Sequence, residues 1–131
     1  MSQENVERLR AVYERWGRGD VWTPEIFEPE VEVVWAAEIP DADTTHGLTE
    51  FEQASRSWLS AWDGLRVDAE EYIDLGERVL VLVTIRGRGK DSSIETEGKY
   101  AHVWTMRDGK ATRLVGYTDW DKALEAVGLS E

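Results

Sequence analysis

One histidine stands inside a strand-like run of large side chains in the second half of the chain. Alternate residues of an extended strand share a face, and the large residues on one face here are Tyr100, His102, Trp104 and Met106. Burial among aromatic rings lowers the pKa of an imidazole, which leaves it neutral and able to accept or donate a proton at neutral pH. The pattern therefore predicts that His102 is a catalytic acid or base acting on an enol or carbonyl. The alternative is a core histidine hydrogen-bonded to a neighbouring tyrosine or to the backbone.

Tryptophan is unusually frequent, with seven in the chain. Trp58 and Trp62 are four residues apart, a spacing that predicts one inner helix face. Walls of indole rings with a few polar groups are typical of a pocket for a flat apolar molecule, although the same rings could simply fill the core. The residues predicted to bind substrate are Tyr13, Trp35, Trp58, Trp62, Tyr72 and Trp104.

Carboxylates provide further candidates for the chemistry. Asp119 directly precedes the last predicted helix, where an aspartate either caps the helix or serves as a second catalytic group beside His102. Glu38 follows the first predicted strand and either reaches the mouth of the pocket or is exposed. Asp41, Asp43 and His46 lack the paired spacing of a metal site, so we predict no metal and no other cofactor.

Helical periodicity dominates the first half of the chain and extended periodicity the second. The predicted apolar stripe of the first helix comprises Val6, Leu9, Val12, Tyr13 and Trp16. Ser2 is a predicted helix cap, and Thr49 with Glu52 forms a predicted capping box. The dipeptide Asp108-Gly109 is typical of a tight β-hairpin. The predicted helices cover about residues 2–16, 49–62 and 120–127, with a short helical turn after Thr23. The predicted strands cover residues 31–35, 65–75, 78–86, 97–106 and 110–118, and a polar loop covers 40–47.

Helices followed by a meander of antiparallel strands are typical of an α+β domain. We expect one domain over residues 1–131, because a chain of this size buries roughly two-thirds of its unfolded surface in one core. The expected architecture is a conical barrel. In it, a strongly curved antiparallel sheet carries the N-terminal helices on its concave face and leaves a cavity between the layers.

The segment from Val79 to Val83 is apolar on both faces of its predicted strand. One face of an antiparallel sheet normally meets water and is polar. An apolar outer face therefore indicates that this face is covered as well. The simplest cover is another copy of the protein, so we predict a homodimer through the outer face of the sheet.

The charge balance argues against several kinds of partner. Fifteen Lys and Arg against 27 Asp and Glu give a net charge of −12, which disfavours nucleic acid and anionic membranes. The longest apolar stretch is too short to span a bilayer, and the start of the chain lacks the pattern of a signal peptide. With no cysteine, the composition predicts a soluble, cytoplasmic protein without disulfides.

Several local strings occur together across nearly the whole chain: VEVVW at 31–35, IDLGERV at 73–79, RGRGK at 86–90, AHVWTMRDGK at 101–110 and YTDWDKAL at 117–124. They resemble the nuclear transport factor two-like superfamily, in its SnoaL-like or ketosteroid-isomerase-like branch. The resemblance implies the conical fold. It leaves the chemistry open, because the superfamily includes isomerases, polyketide cyclases, epoxide hydrolases, dehydratases and proteins without activity.

The resemblance also assigns positions to known chemistries. The strand acid of ketosteroid isomerases matches His102, the helix tyrosine falls next to Tyr13, and the base falls near Trp35, where no carboxylate stands. Steroid isomerisation is therefore not expected. The base of SnoaL-like cyclases matches Asp119. An acid of the epoxide hydrolase relay matches Gly116, so that relay is not expected either.

Together these observations predict binding of a small apolar or aromatic molecule, polyketide- or steroid-like, in a tryptophan-lined cone. If catalysis occurs, we expect cofactor-free proton transfer, as in isomerisation, cyclisation or dehydration. The alternative is a non-catalytic ligand-binding or dimerisation module of the same fold. Both functions require the same pocket, so the sequence does not separate them.

Overall fold

The computed structural model describes residues 2–37, 40 and 43–129. They form one six-stranded sheet with helices on both faces. The helices are α1 (Ser2–Gly17), α2 (Leu48–Leu59) and α3 (Trp120–Ala126), and a 3-10 turn covers Pro24–Ile26. The strands are β1 (Phe27–Trp35), β2 (Asp43–His46), β3 (Trp62–Asp74), β4 (Arg78–Gly89), β5 (Glu95–Arg107) and β6 (Lys110–Tyr117).

The strands lie in the order β2-β1-β6-β5-β4-β3. The predicted α+β class, with a curved sheet and the N-terminal helices on its concave face, is confirmed. The sheet differs from the expectation in two respects. It stays open, with β2 and β3 as its edges, and β1 pairs with β6 in parallel, so the sheet is mixed. The parallel pair is possible because β2, α2 and the strands β3 to β5 separate β1 from β6 along the chain.

The inner face of the sheet carries the larger core. Alternate residues of β4, Val79, Val81 and Val83, pack there with the apolar side of α1 and with Phe51 of α2. The helix α1 presents the stripe expected from its sequence, in which Leu9, Val12, Tyr13 and Trp16 are all buried. The predicted helix cap Ser2 lies within α1, and its side chain is outside the described part of the structure.

The outer face is apolar as well, and the chain itself covers much of it. Leu80 and Leu82 of β4 pack in a second cluster with Ala123 of α3. The indole Nε1 of Trp120 donates to the carbonyl oxygens of Tyr100 at 2.8 Å and Val83 at 3.3 Å, which fixes α3 on the sheet. The two apolar faces of β4 are therefore confirmed, with α3 as a cover that the sequence analysis did not anticipate. The homodimer stays a prediction.

The segment before α2 forms a strand where a loop was predicted. Residues 43–46 pair antiparallel with β1, with His46 opposite Glu32. The polar side chains of this segment suggested a loop because they show no apolar alternation. They are compatible with a strand because β2 lies at the edge of the sheet, where half-exposed polar residues are common.

The predicted capping box of α2 is wrong. The helix begins at Leu48, after Gly47 at a φ of 89°, so Thr49 already lies inside it. The carboxylate of Glu50, and not that of Glu52, accepts a hydrogen bond from the backbone N–H of His46 at 3.0 Å. Glycine supplies the unusual backbone angle here, since other residues rarely adopt a positive φ.

The long hairpins extend further than their sequences indicated. The turn at Asp108-Gly109 is confirmed, with φ of 51° and 81° at its two residues, as a type I′ turn requires. Residues 87–89, expected in a connection, continue β4. Arg88 faces Glu95 across the two strands and is paired with it at 2.9 Å, so opposite charges extend the pairing beyond the apolar part.

Candidate functional site

His102 lies on β5, at the centre of the sheet, and its imidazole faces α1. Its strand neighbours are Val81 of β4 and Gly116 of β6. Only 3% of the residue is exposed. The predicted alternation is confirmed, because Trp104 and Met106 pack in the inner core whereas Ala101 and Val103 pack in the outer cluster.

Two hydrogen bonds connect His102 and Trp104 of β5 to the first helix. The hydroxyl of Tyr13 lies 2.7 Å from Nδ1 of His102, and the indole Nε1 of Trp104 donates to the same hydroxyl at 2.8 Å. All three residues are buried. Buried polar groups are costly unless they are paired, so this network holds α1 against β5 at a defined position.

Four aromatic rings surround the imidazole, and we call them the ring cluster. The ring of Tyr13 is stacked on it at 6.0 Å between centroids, and the other three meet it edge-on at 6.0 to 6.5 Å. Two come from α1, one from β1 and one from β5. The members of the ring cluster are Tyr13, Trp16, Trp35 and Trp104. Edge-on contacts are favourable for aromatic rings because the positive ring edge meets the negative ring face.

A glycine makes room for one wall of the ring cluster. A Cβ placed on Gly116 would lie 2.5 Å from Cε3 of Trp35, closer than atoms can approach. The indole of Trp35 therefore lies over the backbone of β6 directly beside His102. From the sequence, Gly116 was noted only as a position where an acid of the epoxide hydrolase relay is missing. A lone glycine inside a strand, which often marks a close approach, was the signal that could have revealed its packing function.

Trp16 is a site residue that the sequence analysis did not select. It was assigned only to the buried stripe of α1. Its position three residues after Tyr13 places both rings on one helix face, and its Nε1 donates to the Thr23 hydroxyl at 3.0 Å. That hydrogen bond leaves the Trp16 ring beside His102 as an apolar wall.

The site is electrically neutral near pH 7. Burial lowers the pKa of His102 from 6.5 to about 4, so the imidazole carries no charge. Burial also raises the pKa of the Tyr13 phenol well above its usual value, and the Trp104 hydrogen bond opposes that change. A phenol and a neutral imidazole can share one hydrogen bond without placing a charge in the core.

Tyr72 lies one ring further from the imidazole. It meets Tyr13 edge-on at 5.9 Å between centroids, and the guanidinium of Arg10 lies 4.6 Å above its ring. Burial raises the pKa of Tyr72, an effect that the positive charge of Arg10 opposes. Tyr72 therefore contacts the network through Tyr13.

The structure brings four predicted site residues together, namely Tyr13, Trp35, His102 and Trp104, with Tyr72 adjacent to them. It does not bring Trp58 and Trp62 to this site. The two were expected on one inner helix face, but α2 ends at Leu59 and Trp62 belongs to β3. Trp58 is 48% exposed, and its ring contacts that of Trp62 at 6.2 Å. Neither belongs to the core clusters.

Asp119 acts as the cap of α3 in this structure. Its carboxylate accepts hydrogen bonds from the backbone N–H groups of Asp121 at 2.7 Å and Lys122 at 3.3 Å. Because α3 packs on the outer face, this geometry supplies a structural function for Asp119. The catalytic assignment stays a prediction.

The remaining acidic candidates give no metal-binding arrangement. Glu38 and Asp41 lie outside the described residues, whereas Asp43 and His46 lie exposed on β2. Within residues 2–37, 40 and 43–129, no group of three or more metal-binding side chains converges. In the same ranges, no helix has the length and apolar character needed to cross a membrane.

One groove in the described part of the structure lies at the far end of the long hairpins. It has a volume of about 590 Å³ and is lined mainly by charged residues, including Arg66, Arg86 and Glu97. None of the predicted site residues lines it. The hollow cone expected beside His102 stays a prediction.

The open curved sheet with α1 against its concave face is the cone fold of the nuclear transport factor two-like proteins. The sequence also identifies a family within that class. The family model described as SnoaL-like domain matches residues 9–114, and the chain belongs to this family.

Solved structures show the same fold. An NTF2-like protein of unknown function from Burkholderia pseudomallei K96243 is 24% identical, with a TM-score of 0.73 over 95% of this chain and 98% of its own. TerC, co-crystallised with polyporic acid, is 25% identical, with a TM-score of 0.71 over 93% and 96%. A protein provisionally classed as a SnoaL-like polyketide cyclase, from Jannaschia sp. CCS1, is 18% identical, with a TM-score of 0.76 over 99% and 95%. No curated protein matches the sequence.

Proposed function

We propose that this protein binds a small apolar or aromatic molecule, of the polyketide or steroid kind, beside His102 on the inner face of the sheet. The observation that carries the proposal is the ring cluster around a buried imidazole. Nε2 of that imidazole makes no hydrogen bond with any of the described residues. Aromatic walls with one or two polar groups are typical of sites for flat ligands.

One of the similar solved structures indicates which compound to test first. TerC shares the fold over nearly the full length of both chains and was co-crystallised with polyporic acid. That compound is therefore the first to test.

For chemistry at this site, we propose cofactor-free proton transfer, as in isomerisation, cyclisation or dehydration. The neutral imidazole supports the proposal, because a general acid or base must have a proton to give or a lone pair to receive one. The competing function is non-catalytic ligand binding or dimerisation within the same fold. Its support is the bond between Tyr13 and Nδ1 of His102, which is also what a purely structural histidine would make.

The binding proposal is tested by thermal unfolding in the presence of polyporic acid, aromatic ketones, lactones and steroids. A ligand that binds only the folded state stabilises it by RT ln(1 + [L]/Kd), about 2.7 kcal/mol at a concentration one hundred times Kd. We expect at least one of these classes to raise the melting temperature in a saturable manner.

Two tryptophan variants locate the binding. Trp35→Ala removes a wall of the ring cluster, whereas Trp58→Ala removes an exposed ring that belongs to neither core cluster. We expect Trp35→Ala to abolish the ligand-induced shift and Trp58→Ala to retain it. The reverse result would place the ligand at the Trp58 and Trp62 pair and contradict the proposed site.

Turnover is assayed with whichever compound binds. Consumption of that compound by the wild type, lost in His102→Asn, would support proton transfer. Saturable binding without consumption would instead support the non-catalytic alternative.

A further inference from the structure

Resting on the proposed function, we infer that Tyr13 and Trp104 fix His102 as the tautomer that is protonated on Nε2. In this state the site offers its ligand a hydrogen-bond donor and no basic nitrogen. Tyr13 is then a positioning residue, and the ligand class is narrowed to flat molecules with an acceptor oxygen, such as a ketone or quinone carbonyl.

The hydroxyl of Tyr13 carries a single proton. A phenol has one O–H to donate and lone pairs that accept. The indole N–H of Trp104 can only donate, so the 2.8 Å contact uses a lone pair of the Tyr13 oxygen. The other contact of that oxygen among the described residues is Nδ1 of His102 at 2.7 Å.

Only one proton arrangement satisfies both contacts. If Nδ1 of His102 carried the proton, the Tyr13 oxygen would accept from two donors and its own proton would have no acceptor among the described residues. Leaving a buried donor unpaired is costly. If Tyr13 donates to Nδ1, all three groups are satisfied. The proton of the neutral imidazole then resides on Nε2.

The Nε2 side of the His102 imidazole determines which chemical group a ligand must present. With Nδ1 occupied by Tyr13, Nε2–H is the imidazole group that has no hydrogen-bond partner among the described residues. A pyrrole-type N–H has no lone pair to accept a proton. His102 therefore donates to an acceptor oxygen and does not act as a general base towards the ligand, which removes one of the two roles predicted from sequence.

The tautomer is measured directly, without a ligand. In long-range ¹H–¹⁵N spectra of the labelled protein at pH 7, we expect Nδ1 of His102 to resonate as an unprotonated nitrogen and Nε2 as a protonated one. The chain has two histidines, and the exposed His46 gives a second set of signals for comparison. Protonation at Nδ1 of His102, or equal signals from its two ring nitrogens, would overturn the inference.

Tyr13→Phe tests whether Tyr13 is the cause. It removes the proton donor and keeps the ring, so we expect both nitrogens of His102 to shift towards averaged values while the His46 signals stay unchanged. A His102 spectrum in the folded variant that matches the wild type would contradict a positioning function for Tyr13. If Tyr13→Phe does not fold, Trp104→Phe keeps Tyr13 and frees its oxygen, and the same change is expected to a smaller extent.

Ligand selectivity is tested with 1-tetralone and tetralin, which share one skeleton and differ by the carbonyl oxygen. His102→Asn retains an acceptor for Tyr13 and removes the Nε2 donor. We expect this substitution to weaken the binding of 1-tetralone about threefold to tenfold more than the binding of tetralin. That factor is the range for the loss of one hydrogen bond. Equal losses would contradict donation by Nε2. If neither compound binds the wild type, the proposed function fails for this class, whereas the ligand-free spectrum still decides the tautomer.

Discussion

The two faces of β4 and β5 are built from alternate residues of the same strands, and yet they differ in chemistry. The outer face carries aliphatic residues such as Leu80 and Val103 under α3. The inner face carries a histidine and a tryptophan bonded to a tyrosine of α1. Apolar residues would fill the inner face without the desolvation cost of polar groups. A buried polar network where an apolar core would suffice supports the proposal that the inner face carries the function.

The largest expected difference between the faces concerns their tryptophans. Trp104 is fully buried on the inner face, whereas Trp120 is half-buried on the outer face. We expect Trp104→Ala to lower the free energy of unfolding by about 3–5 kcal/mol, the usual cost of emptying a large aromatic site. Trp120→Ala should cost clearly less, and urea denaturation of both variants measures the two values. Equal losses in the two variants would show that Trp120 on the outer face contributes as much to the free energy of unfolding as Trp104 on the inner face.

Acid should destabilise the inner face specifically. The folded-state pKa of His102, about 4, lies below the value of 6.5 for an unperturbed histidine, so the unfolded chain binds more protons between these two values. Stability is therefore retained above pH 6.5 and lost as the pH falls towards 4, by roughly 3 kcal/mol for this one group. Denaturation curves of the wild type across this pH range measure how its total free energy of unfolding depends on pH.

The variant His102→Asn isolates the contribution of this one group. We expect it to show a smaller pH dependence of stability than the wild type by that amount. Identical pH dependence in His102→Asn and the wild type would contradict burial of a neutral imidazole.

Gly116→Ala tests the wall of the ring cluster. The new Cβ would meet the Trp35 ring at 2.5 Å, so we expect a loss of about 1–3 kcal/mol, as overpacking usually costs, and weaker ligand binding. Gly89→Ala is the control, because its Cβ would approach only the flexible side chain of Ser92. If ligand affinity is unaltered in Gly116→Ala while the ring of Trp35 has moved, Trp35 is no part of the site.

Asp119→Ala separates capping from catalysis on the outer side. If capping is its only function, losing Asp119 should cost about 1 kcal/mol and leave ligand affinity and any turnover unchanged. Asp121→Ala, also at the start of α3 but with no capping bond from its side chain, should change stability by less than about 0.5 kcal/mol. Loss of turnover in Asp119→Ala at retained stability would support the predicted catalytic function.

The smallest effect is expected for association of the outer faces. Since α3 covers much of the apolar surface that suggested a homodimer, any association should be weak and depend on concentration. Light scattering over a concentration series measures it. A mass that stays at one monomer throughout would reject the predicted dimer.

Periodicity predicted most of the fold. The helical stripe of α1, the long strands and the turn at Asp108-Gly109 are all set by neighbours within a few residues. The start of α2 was mispredicted because Thr49 and Glu52 satisfy the local pattern of a capping box, and only pairing of β2 with β1 shows that the helix begins earlier. Likewise, nothing local to α3 indicates which face of the sheet it covers.

The candidate site was predicted in part. Alternation along β5 selected His102 and Trp104 and placed them correctly on the inner face. The bond between Tyr13 and His102 joins residues 89 positions apart, and the space over Gly116 depends on the position of Trp35. Such contacts arise from how the layers pack, which composition and spacing do not encode.

The central claim is that ligands bind on the inner face, against the imidazole of His102. The side-chain resonances of the two histidines during titration with polyporic acid or 1-tetralone test it most directly. We predict saturable shifts of the His102 signals, Nε2–H above all, with His46 unchanged. Saturable binding that leaves the His102 signals where they were would contradict the claim.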